Sequence, residues 1–338
     1  MIDLLVVGGG PAGLATAIYG ARAGLKVVVA ERRRGPIDKA CGEGLMPHTL
    51  RHLQRLEVHP HGRPIRGISY RDGGRHVDAP FKPGTGRGVR RTVLHGALLD
   101  AAAQAGVEIC HDEIREISQD AFSVRAGRWR ARYLAAADGL HSPIRRSLGL
   151  EQHSPGPRRW GIRRHVEIAP WSDYVEVHWG LGAEAYVTPI ADNCVGVALL
   201  TSRRGGFDCH LEGFPALRDR IEGHPHEPDR AAGPLRQRVS SRTAGRIMLV
   251  GDAAGYVDAV TGEGLGLAFG AAEQLVNCVI ADQPADYDRR WRQITRRYRM
   301  LTATLLQASG YAPARSRIVP AAVAMPAVFA HVVNLLAQ

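Results

Sequence analysis

One stretch at the start of the chain limits what it can fold into. Ile2 to Val7 is a short apolar run of the kind that becomes a buried parallel strand. Gly8-Gly9-Gly10-Pro11-Ala12-Gly13 follows and fits G-x-G-x-x-G. Leu14 to Ala23 then reads as an Ala- and Leu-rich helix, with Gly24 just past its end, where a left-handed backbone is wanted. Lys26 to Ala30 is a second, β-branched strand, and Glu31 closes it. Each part has a physical task. Gly8 permits the tight turn, Gly10 lets a pyrophosphate approach the backbone, and Gly13 lets helix and strand pack closely. Pro11 and Ala12 open the helix, whose free N–H groups and positive dipole end suit phosphates. Glu31, with Arg32 beside it, stands where ribose hydroxyls need an acceptor. The order and spacing predict a dinucleotide site and leave open which dinucleotide.

A second glycine constellation lies near the other end. Arg246 to Val250 reads as a buried strand that runs into Gly251-Asp252-Ala253-Ala254-Gly255. Thr261-Gly262-Glu263-Gly264 then leads into a helix of small and apolar residues from Leu265 to about Ile280. A strand, an Asp and a glycine-rich helix entrance again make a place for anionic oxygens. Asp252 can accept from sugar hydroxyls, and the N–H groups around Gly262 to Gly264 can stabilise negative charge.

Together these motifs resemble the G-D-A-A-G…P-x-x-G-E-G signature of FAD-dependent reductases and monooxygenases that share the para-hydroxybenzoate hydroxylase fold. Ala259 stands where that signature has its Pro. The Thr-Gly-Glu-Gly ending is most similar to the geranylgeranyl reductase family. Ala137-Asp138-Gly139-Leu140-His141-Ser142-Pro143-Ile144-Arg145 resembles the family's A-D-G-x-x-S-x-x-R segment. Arg91, with Arg90 next to it as the alternative, resembles the flavin-contacting arginine ahead of a helix from His95 to Ala105. Cys41-Gly42-Glu43-Gly44 resembles the Cys-Gly loop beside the flavin ring. The resemblance implies FAD as cofactor, with Glu31 on the adenosine ribose and Asp252 on the ribityl–pyrophosphate portion. It also implies an α/β fold in which a Rossmann-type FAD-binding domain interleaves with an antiparallel-sheet substrate domain. The FAD domain is expected from 1–65, 88–150 and 235–280, the substrate domain from 66–87 and 151–234, and a helical segment from 281–338.

Within 151–234, Gly161 to Ile168, Tyr174 to Gly180, Ala185 to Ile190 and Val195 to Thr201 alternate as antiparallel strands. Such a sheet can roof a flavin, with substrate between the two domains. Tyr186, Trp179 and His178 are candidate pocket residues, and sheet packing is the plainer reading of all three. Cys41, Glu43 and Tyr186 are the candidates for catalytic contact. The plainer readings are a small buried hydrophobe for Cys41 and a solvated loop charge for Glu43. Gly84-x-Gly86-x-Gly88 reads as a loop, so no separate nicotinamide-nucleotide domain is expected. NADPH or NADH is then a transient donor near the flavin, or the electrons come from a donor protein.

Composition narrows the partners. The net charge of +11 raises nucleic acid or an anionic membrane. The basic residues are nearly all Arg, with Lys only at 26, 39 and 82, and they are scattered without an aromatic–basic stripe. Nucleic acid is therefore not expected. The five cysteines contain no C-x-x-C pair, so neither zinc nor a disulfide framework is indicated, and a reducing cytoplasm is the default. Ile318 to Leu336 is apolar but broken by Pro320 and Pro326, which predicts a packed or interface-lying helix pair with room for peripheral membrane contact. The expected substrate is a hydrophobic small molecule. Two reactions fit: reduction of C=C bonds in a lipid or isoprenoid-like compound, or monooxygenation of an aromatic or polyketide-like one. Glu184-Ala185-Tyr186-Val187-Thr188-Pro189 keeps the Tyr and Pro of the reductases' Y-x-W-x-F-P motif but not its Trp. A FAD carrier or redox sensor is the non-enzymatic alternative.

Overall fold

The structure, a computed structural model, describes every residue except Pro83, Pro157, Leu181 and Gln338. These four fall within the expected segments 66–87, 151–234 and 281–338 and lie outside the described residues.

The strand Ile2–Val7 is followed by the helix Pro11–Arg22 and the strand Val27–Glu31, whose five residues are all buried. These strands join Glu108–His111, Trp129–Ala136 and Ile247–Leu249 in a parallel sheet. Strands buried on both faces read as near-continuous apolar runs, as residues 4–7, 27–30 and 133–136 do. The pairing places Val7 beside both Ala30 and Ala136, and Ala136 beside Leu249. Four strands thus end in one row, and within three residues beyond it come Gly8, Glu31, Asp138 and Gly251-Asp252. This carboxyl edge is where open α/β sheets place their ligands.

A second, seven-stranded sheet runs in the order Arg230–Ala232, Trp160–Val166, Cys194–Thr201, Ala183–Ala191, Tyr174–Gly180, Gly67–Asp72, Arg75–Pro80. Its four long strands match the expected positions, and the expected insert supplies its last two. One pairing departs from the antiparallel expectation: Tyr174–Gly180 lies parallel to Gly67–Asp72. One face packs on the short helices Phe207–Leu211 and Pro215–Ile221 through Ala185, Val187, Val197 and Phe214. The other face carries Val177, Trp179 and Tyr186 and meets Tyr256, Val260 and the C-terminal helices.

Two further departures concern boundaries. The helix expected from His95 begins at Arg91 and runs to Gln104. Gly86–Gly88, expected as a loop, is a short strand between Gly44–Leu45 and Arg63–Ile65. The glycine-led helix is Gly264–Ile280 and the basic helix Asp286–Gly310. Beyond it, Pro313–Ala324 and Pro326–Leu336 meet at a bend of 103°. Among the described residues no single helix is long and apolar enough to cross a membrane.

Candidate functional site

The crevice at the carboxyl edge of the parallel sheet is built from glycines with specific reasons to be glycine. Gly8 has φ +108°, and a Cβ there would lie 2.4 Å from the Ala137 carbonyl oxygen. A Cβ on Gly13 would lie 1.9 Å from the Gly8 carbonyl oxygen, and one on Gly251 (φ +65°) would lie 2.7 Å from Ala12 Cβ. These three positions are closed by protein. A Cβ on Gly10 would meet nothing within 4 Å, so the helix entrance opens on a cradle of free space. Gly42 and Gly262 face open space in the same way.

Carboxylates ring this space. Glu31 is buried, and its Oε2 accepts from Gly9 N–H (2.7 Å) while Oε1 accepts from Arg33 N–H (2.8 Å). Arg32 is exposed at the outer end, 3.7 Å from Glu113. Asp138 accepts from Ile144 N–H through Oδ2 (3.1 Å), and its Oδ1 is buried without a hydrogen bond. Burial raises the pKa of Asp138, as it does for Asp252, which is open to solvent only within the walled crevice. Gly139 (φ +89°) turns the chain past Lys39, whose Nζ would sit 3.4 Å from a Cβ there. Lys39 is a site residue that the sequence reading missed. Burial, then Arg33 and Arg91, lower its pKa, so three cations converge where a diphosphate would need them.

Two buried residues hold these motifs together. Arg145 is fully buried and donates to the Asp252 and Ala253 carbonyls (3.4 and 3.3 Å), to Leu140 O (3.0 Å), and to the side chains of Glu151 (3.0 Å) and Gln237 (2.8 Å). It thereby clamps the Asp138 segment to the Asp252 segment. His95 takes the Ile37 N–H on Nδ1 (3.2 Å), so Nε2 carries the proton and donates to Gly9 O (2.7 Å). That bond fixes the glycine turn from the side of the helix Arg91–Gln104, and burial lowers the His95 pKa.

The neighbouring arginines separate clearly. Arg90 turns its Nη2 to Glu227 and His165, and the Nε of both Arg90 and Arg91 is buried without a hydrogen bond. Arg91 also acts electrostatically on Lys39, Cys41 and Asp252, which places it on the crevice. Glu43 is not a solvated loop charge. Its side chain is 0 % exposed, on a left-handed backbone (φ +58°) that a non-glycine residue adopts only under constraint. Its Oε1 accepts from Arg91 N–H (2.8 Å) and its Oε2 lies 2.7 Å from His165 Nε2. Glu43 N–H donates to Cys41 Sγ (3.4 Å), and burial pushes the Cys41 thiol up.

His165, from the substrate sheet, is a second residue the sequence reading missed. Its Nδ1 lies 2.7 Å from Glu227 Oε2, 3.0 Å from Arg163 Nη1 and 3.1 Å from Arg90 Nη2. A guanidinium only donates and a carboxylate only accepts, so this nitrogen serves one set or the other according to its proton. For Glu227, burial opposes the charge, but bonds from Arg90 and His165 outweigh it and hold the carboxyl at about 2.

On the other side of the crevice, the loop before Gly264 is tied down by Tyr298 to Asp258 O (2.7 Å), Tyr186 to Val260 O (3.1 Å) and Thr261 to Thr302 (3.1 Å). Glu263 precedes the helix Gly264–Ile280, with its backbone at the entrance. Its side chain is 5 % exposed, and its pKa is raised to about 8 by burial, with Arg297 opposing. The carboxyl thus lies within electrostatic reach of Arg297 and Tyr298 on the next helix.

Trp179 and Tyr186 lie on the sheet face toward this loop, around an apolar junction with Val177, Leu200, Val260 and Val319. Glu184 on the same face is buried and bridged by Arg159 and Arg315, the latter at 3.2 Å. His178 faces the opposite side: it pairs with Ala185, which packs on the outer helices, and binds Glu176 (3.0 Å). Side chains alternate along a strand, so Trp179 and His178 cannot share one pocket.

Residues 1–183 match the family described as FAD binding domain. A menaquinone reductase of Mycolicibacterium smegmatis is 29 % identical over 329 residues, covering 86 % of this chain and 79 % of that protein. Digeranylgeranylglycerophospholipid reductase 2 of Methanopyrus kandleri is 28 % identical, covering 78 % of this chain and 73 % of its own length. A 3-(3-hydroxy-phenyl)propionate/3-hydroxycinnamic acid hydroxylase of Mycobacterium sp. is 27 % identical across 78 % of this chain but 51 % of that protein. Among solved structures, a flavoprotein/dehydrogenase from Cytophaga hutchinsonii superposes with a TM-score of 0.79 at 18 % identity, covering 89 % of this chain and 85 % of that one. At that identity the likeness speaks for the fold.

Proposed function

The chain belongs to the FAD-binding-domain family and is an FAD-dependent oxidoreductase, and from that premise we propose that it reduces a C=C bond in a lipid-like substrate of isoprenoid or quinone type. One observation carries the proposal: the face of the substrate sheet turned to the cofactor crevice carries an apolar cluster of Val177, Trp179, Tyr186 and Leu200, packed against Val260 and against Val319 of the C-terminal helices, beside the buried Glu184–Arg159–Arg315 bridge. Such a wall suits a hydrophobic substrate with few polar groups. The printed activities of the two reductase relatives support the same direction.

Bound FAD supplies two-electron redox chemistry. The residues present fit it. The space at Gly10, the unpartnered Asp138 Oδ1 and Arg91 Nε, and the cations Lys39, Arg33 and Arg91 together form a cradle that offers both cations for phosphates and carboxylates for sugar hydroxyls. Glu31 would hold the adenosine ribose, Asp252 the ribityl hydroxyls, and the backbone at Gly262, Glu263 and Gly264 the polar edge of the ring. Segments 1–65, 88–150 and 235–280 form the cofactor half in this reading, and 66–87 with 151–234 the substrate half. NADPH or NADH, or a donor protein, would deliver electrons. Tyr186, Glu43 and Cys41 are the candidates for contact with the reacting atoms. Of these, Tyr186 alone lies on the apolar face. Peripheral membrane contact through the bent C-terminal helices would bring a lipid substrate to the junction.

Hydroxylation is the second reading, favoured by the hydroxylase relative. The deciding experiment incubates FAD-loaded protein anaerobically with dithionite or NADPH and menaquinone, and weighs the product after exposure to air. A gain of two hydrogens that survives air supports C=C reduction. No such product, with oxygen insertion into a hydroxyphenyl acid under air, overturns it in favour of hydroxylation.

A further inference from the structure

A cavity of about 310 Å³ lies between residues 236–242, the loop 251–257 and the helices Gly264–Ile280 and Asp286–Gly310. Gly251, Asp252 and Gly264 belong both to its lining and to the cofactor crevice. Five arginines line it: Arg236, Arg238, Arg242, Arg292 and Arg299. Asp252, at the crevice end, is the only acid among its described lining residues. Asp288 reaches in from outside the lining and bonds Arg292 (2.8 Å) and Arg242 (3.3 Å). Arg238 and Arg299 have no carboxylate within 4 Å among the described residues.

The arginines come from the segment 236–242 and the helix Asp286–Gly310 and converge on one concave surface, with Arg242 buried and Arg236, Arg238, Arg292 and Arg299 solvent-exposed. Arg242 is buried and stacks 4.0 Å above Trp291, and Arg299 lies 5.5 Å from the same ring. For Arg299, burial and then the charges of Arg292 and Arg238 lower the pKa. For Arg242, burial lowers it most, Asp288 works against that, and Arg299 and Arg292 add to the lowering. Like charges held together in this way carry an unmet demand for an anion. Guanidinium forks meet such a demand best with the paired oxygens of a phosphate. Tyr298 and Trp291 give the interior an aromatic wall for whatever the phosphate is attached to.

We propose that this cavity is a binding site for a phosphate monoester group, held by Arg238, Arg292 and Arg299, with Arg242 and Trp291 as its floor. The cavity shares Gly251, Asp252 and Gly264 with the cofactor crevice, but none of its five arginines is a cofactor residue and the dinucleotide phosphates belong at Gly10 to Gly13, so the anion site is distinct from the FAD phosphate site, and it does not depend on which substrate the enzyme reduces. Two sources carry this group: the ribose phosphate of NADPH, or a phosphate on another metabolite or lipid headgroup.

The test uses FAD-loaded protein and titration calorimetry with inorganic phosphate, glycerol 3-phosphate, NADPH and NADH. Inorganic phosphate is expected to bind, and the double variant R238Q/R299Q to weaken it at least tenfold while keeping its FAD content and melting temperature. As a control, R218Q, which removes an exposed arginine paired with Asp219 (2.8 Å) on the helix Pro215–Ile221, is expected to bind as the parent does. NADPH binding at least tenfold tighter than NADH, with the difference abolished in R238Q/R299Q, assigns the phosphate to the dinucleotide. Equal NADPH and NADH binding, with glycerol 3-phosphate weakened by the double variant, supports the site and assigns the other source. Absence of phosphate binding by the parent protein, or equal binding by parent and R238Q/R299Q, overturns the proposal.

Discussion

Gly13 and Glu43 show how differently single residues can be read. Gly13 is legible because its task is set by covalent geometry: with 1.9 Å to the Gly8 carbonyl, any Cβ must push the helix off the strand. Gly13→Ala is expected to abolish FAD retention, read as flavin absorbance per protein after gel filtration; a normal ratio would refute the packing role. Glu43 is not legible, since a loop carboxylate carries no mark of burial, and its partner His165 lies 122 residues away. Losing one partner of a buried charge-assisted bond costs about 1.5–3 kcal/mol, of which part is transmitted to the cofactor. Both Glu43→Gln and His165→Gln are therefore expected to weaken FAD roughly tenfold, measured by fluorescence titration of apoprotein. An unchanged dissociation constant in both would count against the clamp. Glu263 gives a pH prediction. Its folded pKa of about 8 lies above the ordinary carboxyl value, so the folded state holds a proton that the unfolded chain has released. Its contribution is thus most favourable below the ordinary carboxyl pKa and is lost as pH rises toward 8. Glu263→Gln should raise the melting temperature at pH 8 by about 2–4 °C and leave it nearly unchanged at pH 5. Equal effects at both values would discount the shift.

Among the elements, those with a strong period were readable and those set by distant partners were not. The first strand, its helix and the second strand follow from an apolar run, a glycine turn and β-branched residues. The helix Arg91–Gln104 starts four residues earlier than its sequence suggests, because its N-terminus is capped from afar. The Arg91 N–H is taken by the Glu43 carboxylate, an anion favourably placed at a helix N-terminus. The parallel pairing of Tyr174–Gly180 with Gly67–Asp72 joins strands about a hundred residues apart and has no local signal. The last helix is fastened to the sheet edge by one side chain. Asn334 accepts from Lys82 N–H (2.7 Å) and donates to Pro80 O (3.0 Å) and Ala330 O (2.8 Å). Asn334→Ala removes buried bonds worth about 1–2 kcal/mol. It is expected to speed proteolysis within the C-terminal helices while FAD content stays at the parent level. Protease resistance equal to the parent's would show that Phe329 and Val333 hold the helix unaided.

In the whole molecule, the cofactor crevice draws on residues from Gly8 to Gly264, and the fold class was readable because the two glycine motifs flank it. The relation between the halves was less readable, because Arg145, His165 and Arg159 each bridge segments that only the finished fold brings together. The row formed by Val7, Ala30, Ala136 and Leu249 has a consequence for synthesis. A ribosome delivers the first, second and third members of that row early, but the Asp252 wall emerges only after some 250 residues have been made. Until then the strand Trp129–Ala136 has an uncovered edge, and the flavin has half a berth. Loading should therefore come late in translation. Nascent chains stalled near residue 240 should fail to retain flavin, while chains stalled with residue 290 clear of the exit tunnel should keep it. Equal retention at both lengths would show that the N-terminal motif suffices.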